Sequence, residues 1–313
     1  MNAVTVDRVA KTFSGGVTAV DGLSFAVPEG EFFGFLGPNG AGKTTCIRMI
    51  TGLLAASAGR IEVMGEAVKP GALKARELVG VCPQEIVLWE KLTCAENLRF
   101  MGRMYNVPRA RVTERADELL GLLGLRDKKD ARVETLSGGM KRRLNVAMAL
   151  VHDPKVVVLD EPEAGLDPQA RIVLREFLAG LRADKTVLFT THNMDEAERL
   201  VDRVAIIDHG KLLALDTPQA LKRQYGEGDV LEVTLPDAEL ASHLCQRLGV
   251  SHPDLDVRAL DAEVVIRGLH LASRFGDILR EVESGSYRLD DVRYRGNSLE
   301  DVFIALTGRG LRE

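Results

Sequence analysis

Hydrophobic and polar positions change their period along the chain. Up to residue 30 they alternate roughly two by two, interrupted by turns at Ser14-Gly15-Gly16 and Pro28-Glu29-Gly30, which predicts short strands. Phe32-Phe33-Gly34-Phe35-Leu36 is a continuous apolar run, as expected of a buried strand, and Thr45-Cys46-Ile47-Arg48-Met49-Ile50 reads as a helix. Residues 58 to 82 return to strands and turns. From about 94 to 152 the apolar spacing turns helical, with Val107-Pro108 between helices and Gly124 near a C-terminus. Strands are predicted again at 155 to 160, 186 to 191 and 203 to 208, with helices at 168 to 182 and 194 to 200. Buried strands alternating with helices predict an α/β parallel-sheet core, here with an N-terminal antiparallel β part and a helical insertion.

Thr217-Pro218 then starts a helix, a capping residue followed by proline at the first position. Tyr225-Gly226-Glu227-Gly228-Asp229 reads as a linker. Beyond it, strands at 230 to 235, 256 to 260, 262 to 267 and 286 to 294, with helices at 238 to 248 and 269 to 283, predict a compact βαββαβ unit. Ser298-Leu299-Glu300-Asp301 opens a last helix as a near capping box, with Asp in place of Glu. Two domains follow, 1–224 (helical part about 94–152) and a small α+β domain at 229–313.

Composition narrows the function classes. The formal charge of −5 is uneven: beyond Arg223 there is no lysine, and 10 Arg stand against 17 Asp plus Glu, while the rest of the chain is close to neutral. A nucleic-acid partner is not expected, since that needs a basic face or tail. Cys46, Cys82, Cys94 and Cys245 show no CxxC spacing and the six histidines are scattered, so neither a disulfide framework nor a zinc site is indicated and a reducing compartment fits. The N-terminal residues read as a strand with no apolar signal core, and no run approaches the roughly 18 apolar residues of a membrane span. Any membrane path must belong to another polypeptide.

The chemistry concentrates in a few contiguous motifs. Gly37-Pro38-Asn39-Gly40-Ala41-Gly42-Lys43-Thr44 is a phosphate-binding loop of the Walker A type, set between strand and helix as that loop requires. Its glycines let backbone N–H groups turn toward phosphate at a helix N-terminus, Lys43 is expected to reach the β- and γ-phosphates, and the Thr44 hydroxyl to ligate Mg²⁺, with Thr45 next in the ATP-binding set. Lys155-Val156-Val157-Val158-Leu159-Asp160-Glu161 is an apolar strand ending in two carboxylates. Asp160 is expected in the magnesium shell, and Glu161 is placed to polarise an attacking water. Leu136-Ser137-Gly138-Gly139-Met140 is a second anion-binding turn, in which Ser137 is expected to cap the helix that follows.

With Gln84, Asp167 and His192 added, the chain resembles, over about residues 4 to 220, the ATP-binding subunit of an ABC transporter, and so implies a P-loop NTPase (RecA-like) fold. The resemblance implies that Phe13 stacks on adenine, Gln84 joins the metal shell and senses the membrane partner, and Asp167 contacts the other subunit. It gives His192 the γ-phosphate, and gives Ser137, Gly138 and Gly139 the ATP held by the opposite subunit. Met140 stands where the family commonly has glutamine, beyond the residues that would touch phosphate. Met140-Lys141-Arg142-Arg143 and the segment Ser298 to Gly308 resemble the ABC-2 branch that exports drugs, lipids or polysaccharides.

The implied function is an ATPase, with ATP and Mg²⁺, working as a homodimeric clamp on separately encoded permease subunits at the cytoplasmic face of the cell membrane. A soluble ABC-type ATPase clamping nucleic acid or ribosomes is the alternative, although such proteins usually carry two cassettes or a coiled coil. Two points stay open. Ile86-Val87-Leu88-Trp89 is either the groove for a helix of the membrane subunit or packed within the cassette. The tail either steadies the dimer and controls the ATPase or is a solubilising appendage.

Overall fold

The structure, a computed structural model, describes residues 1–191, 193–226, 228–269, 271–285 and 287–308. The chain divides into two compact units, Met1–Pro218 and the residues from Gln219 onward.

The first unit runs β1 (Asn2–Thr12), β2 (Thr18–Pro28), β3 (Phe32–Leu36), α1 (Lys43–Ile50), β4 (Ala58–Val63), β5 (Glu66–Ala67), α2 (Leu73–Glu77) and β6 (Val79–Cys82). It continues through α3 (Cys94–Met104), α4 (Arg109–Leu122), α5 (Gly138–Leu150), β7 (Val156–Asp160), α6 (Pro168–Gly180), β8 (Thr186–Thr191), α7 (Met194–Leu200), β9 (Arg203–Asp208) and β10 (Lys211–Asp216). One sheet, in the order β2-β1-β4-β5, is antiparallel. The other has the order β10-β9-β3-β8-β7-β6; its strands are parallel except at the β10 edge. β3, with all five residues buried, lies centrally between β8 and β9, which explains why its sequence is apolar without alternation. β10 is an edge strand with one buried position, Ala214, and the periodicity reading did not single it out.

The core joins the two sheets around α1. Cys46, Ile47, Met49 and Ile50 of that helix pack with Val4, Val6 and Phe25 of the antiparallel sheet and with Phe33, Phe35, Val156, Val158 and Leu188 of the parallel one. Phe25, Phe33 and Phe35 form a ring cluster with centroids 5.2 to 5.5 Å apart. Burying each such side chain stabilises by about 2 kcal/mol. This packing fixes α1, and hence the loop before it. Three helices, α3 to α5, form the insertion between β6 and β7. α3 begins with a full capping box, Thr93 accepting from Glu96 N and Glu96 reaching back to Thr93 N.

The second unit contains α8 (Pro218–Tyr225), β11 (Asp229–Thr234), α9 (Ala238–Ser251), β12 (Asp256–Leu260), β13 (Glu263–Gly268), α10 (Leu271–Ser284), β14 (Asp291–Arg295) and α11 (Leu299–Thr307). Its sheet has the order β12-β13-β11-β14 and is antiparallel throughout, the split βαβ arrangement expected of a βαββαβ chain. α9 and α10 cover one face through Leu244, Leu248, Ile278 and Val282 against Leu231, Val233, Val264 and Ile266. Both outer strands carry short-range ion pairs, Arg258 to Asp256 at 2.9 Å on β12 and Arg293 to Asp291 at 2.7 Å on β14. α11 starts in a complete capping box between Ser298 and Asp301, so Asp does here what Glu does more often. Asp301 is also held by Arg295.

Candidate functional site

The phosphate loop runs from β3 to α1 and is shaped by glycine at positions other residues could not fill. Gly37 has φ +155°, and a Cβ there would lie 2.1 Å from the Ile207 carbonyl oxygen; at Gly42, φ +102°, a Cβ would lie 2.4 Å from the Ala19 carbonyl oxygen. Gly42 is the N-cap of α1 and gives no side-chain cap, so the first N–H groups of the helix face outward as an anion site. Lys43 arches back over the loop, its Nζ donating to Gly37 O at 2.6 Å and Pro38 O at 3.0 Å. Burial pulls its pKa below the usual lysine value, and the carboxylates of Glu161 and Asp160 oppose that shift. Cys46 is wholly buried and its thiol is pushed up to about 12, so it remains protonated and inert.

The carboxylates come from the end of β7, next to β8 in the sheet. Asp160 pairs in register with Thr190, whose hydroxyl donates to Asp160 Oδ1 at 2.5 Å. Glu161 leaves the strand with φ +48°, a conformation that is strained for a residue with a side chain. Its amide donates to Thr190 O and Thr190 Oγ1, both at 3.1 Å. From the loop after β6, Gln84 Nε2 donates to Glu161 Oε2 at 3.2 Å. Lys43, Asp160, Glu161 and Gln84, far apart in sequence, thus share one electrostatic neighbourhood. A cleft of about 200 Å³ beside them is lined by Glu161, Glu163, Gly165, Arg171, Thr191 and Asn193 among others. His192, between the last two, lies outside the described residues.

Phe13 is 40 % exposed in the turn between β1 and β2, with the Lys11 ammonium 5.3 Å from its ring centre. Ser137 caps α5 by accepting from Met140 N at 3.3 Å. Gly139 faces the start of α6: a Cβ there would be 3.3 Å from Ala170 Cβ and 3.7 Å from Asp167 Oδ2. Asp167 is itself the N-cap of α6, accepting from Ala170 N at 2.8 Å. The turn 137–139 and the loop ending at Asp167 are therefore neighbours in one chain.

Three buried polar residues that motif reading overlooked set the loop from Pro83 to Trp89. Arg142 and Asn145 of α5, both 2 % exposed, bond to its main chain: Arg142 to Pro83 O and Gln84 O, Asn145 to Glu85 O and, through Oδ1, to Val87 N at 3.2 Å. Asn97 of α3, fully buried, brackets Trp89, accepting from its amide at 2.9 Å and donating to its carbonyl at 3.1 Å. The local sequence does not mark them, since Arg142 stands in a basic cluster and the two asparagines lie in helices that carry other polar residues. The loop so held leaves Ile86, Val87 and Trp89 exposed at 43 %, 54 % and 40 %. Trp89 meets Phe100 edge-on at 4.5 Å, and Met104, one helical turn on, is also exposed.

Among the described residues no helix is long and apolar enough to cross a membrane. The model of the ABC transporter family matches residues 20–164. The chain is 43 % identical over 319 residues to the Nod factor export ATP-binding protein I of Paraburkholderia xenovorans (strain LB400), covering 99 % of each. It is 38 % identical over 308 residues to the linearmycin resistance ATP-binding protein LnrL of Bacillus subtilis (strain 168), covering 98 % of this chain and 99 % of that one. Among solved structures, an ATP-binding subunit of an ABC transporter superposes with a TM-score of 0.66 at 30 % identity, covering 72 % of this chain and 93 % of the other. With a phosphate loop, a strand-end carboxylate pair and relatives that span its whole length, the chain belongs to the ABC transporter family as an ATP-binding, ATP-hydrolysing subunit of the exporter branch.

Proposed function

We propose that two copies of this chain close on two ATP molecules, each held between one copy's phosphate loop (residues 37–45) and the other's Ser137-Gly138-Gly139 turn, and that hydrolysis reopens them. The observation that supports this reading is the 3.2 Å contact between Gln84 and Glu161, with Lys43 under the electrostatic influence of Glu161 and Asp160: the residues to which we assign the metal shell, the base and phosphate binding are close to one another. Lys43 binds the β- and γ-phosphates, and Phe13, already exposed, stacks on adenine. Glu161 accepts a proton from the water that attacks the γ-phosphate, and His192 donates to that phosphate.

The Thr44 hydroxyl, the Gln84 carboxamide and the Asp160 carboxylate form a hard oxygen donor set that fits Mg²⁺; when bound, the ion neutralises charge on the phosphate oxygens. Closure moves permease subunits, docked on the exposed apolar surface of Ile86, Val87, Trp89, Phe100 and Met104, from the cytoplasmic face of the membrane. The cargo in this reading is drug-like, a lipid or a polysaccharide; relatives named for Nod factor export and linearmycin resistance support the exporter role. The second unit steadies the closed pair. The test is co-purification with a co-expressed permease: association lost on Trp89→Glu, and cargo-stimulated ATPase in the assembled complex, are expected. A complex unaffected by that change would move the docking surface elsewhere.

A further inference from the structure

Arg142 lies in the second turn of α5 and is 2 % exposed. Its Nε donates to Pro162 O at 3.0 Å, Nη1 to Pro83 O at 2.9 Å and to Gln84 O at 2.6 Å, and Nη2 to Asp160 O at 2.8 Å and to Glu161 O. A guanidinium has five N–H groups in a rigid plane, and here five main-chain carbonyls receive them. The acceptors belong to two loops: that carrying Gln84 and that carrying Glu161. Glu161 is thereby gripped on both sides, its amide by Thr190 and its carbonyl by Arg142, which accounts for its holding φ at +48°.

We propose that Arg142 is a positioning residue for ATP hydrolysis, one side chain that sets the backbone of Gln84 and of Glu161 together and ties both to the helix opened by the Ser137–Gly139 turn. It rests on the reading of Glu161 and Gln84 as the hydrolytic pair. The helix that begins at one anion-binding turn thus carries, four residues on, the clamp for the other site's reactive groups. A shift of α5 reaches both groups without passing through the phosphate loop, because none of the five acceptors lies in residues 37–45.

Arg142→Lys is the primary test. A lysine offers three N–H groups from one nitrogen and cannot span two loops, so charge is kept while the fork is lost. Misplacement of reacting groups by about 1 Å costs on the order of 10²-fold in rate, so kcat should fall by roughly that factor. The Kd for a fluorescent ATP analogue, set by the phosphate loop, should stay within about twofold. Arg142→Gln should behave likewise. In the Glu161→Gln background, Arg142→Lys should cost clearly less than it does in the wild type, because one of the two groups it positions is already gone. Wild-type kcat in both Arg142 variants would overturn the assignment. So would a full further loss on top of Glu161→Gln, or parallel loss of ATP affinity and of the cassette's melting transition, which would make Arg142 structural. If Glu161→Gln itself hydrolyses ATP normally, the underlying pair fails; if it is inactive while the Arg142 variants are normal, only this inference fails.

Discussion

The loop from Glu161 to Asp167 is anchored by a buried carboxylate, and its removal gives a sharp prediction. Glu163 has a side chain only 1 % exposed and takes a forked grip from Arg175 of α6, with Nε to Oε1 at 2.9 Å and Nη2 to Oε2 at 2.8 Å; Arg171 adds a contact at 3.6 Å. Glu163→Ala removes the carboxylate and leaves two guanidinium groups without it. Breaking a fully buried pair costs about 3–5 kcal/mol, but Arg175 is 25 % and Arg171 36 % exposed and both regain some hydration, so about 2 kcal/mol is expected. For a unit of this size each kcal/mol moves the midpoint by about 2–4 °C, so the cassette should melt about 4–8 °C lower. Differential scanning calorimetry is the assay, and the second unit's transition should not move. A shift below about 1 °C, or a Glu163→Ala/Arg175→Met cycle whose effects simply add, would refute the anchoring argument.

Glu161→Gln should keep ATP binding while turnover falls by about two to four orders of magnitude, trapping an ATP-bound dimer visible by light scattering; near-normal hydrolysis removes Glu161 from its role. Lys43→Ala should abolish ATP binding in its own loop, whereas Gly139→Asp should bind ATP but not close. Its new carboxylate would crowd Ala170 and approach that of Asp167, and wild-type turnover would exclude this turn from the site. Ending the chain at Pro218 should leave nucleotide binding intact but raise the ATP concentration needed for dimerisation in the Glu161→Gln background; identical ATP dependence would make the tail passive. His152 stacks on Tyr105 at 3.7 Å, and its pKa is lowered to about 4 by burial. Because its folded value lies below the unfolded 6.5, the neutral ring's contribution is present above pH 6.5 and lost as pH falls toward 4. His152→Leu should therefore flatten that part of an acid-unfolding curve, and an unchanged slope would contradict the assignment.

Much of the fold was legible because contiguous runs report it. The all-buried β3, the parallel strands ending at Asp160 and Thr191, and the βαββαβ tail follow from unbroken apolar stretches and their turns. The phosphate loop was legible because its chemistry needs glycine, lysine and a hydroxyl at fixed spacing. What was hidden depends on partners distant in sequence. Arg142 looks like part of a basic cluster until its five acceptors, 18 to 59 residues away, are known. Asn97 and Asn145 look like ordinary helix positions until the loop they bracket is in place. Whether Trp89 is packed or exposed turned on that same bracketing.

The two rims of the second unit's sheet carry the same tripeptide, Asp-Val-Arg, at 256–258 and 291–293. In each, valine turns toward the helices while aspartate and arginine neutralise one another on the opposite side. A foreign strand seeking to add at either rim would have to strip water from an ion pair. The fragment should therefore tolerate concentrations at which an unguarded sheet of this size polymerises, which makes it suitable for isolated production. Contacts that this unit forms with another copy should then fall to its helices, not to strand exchange.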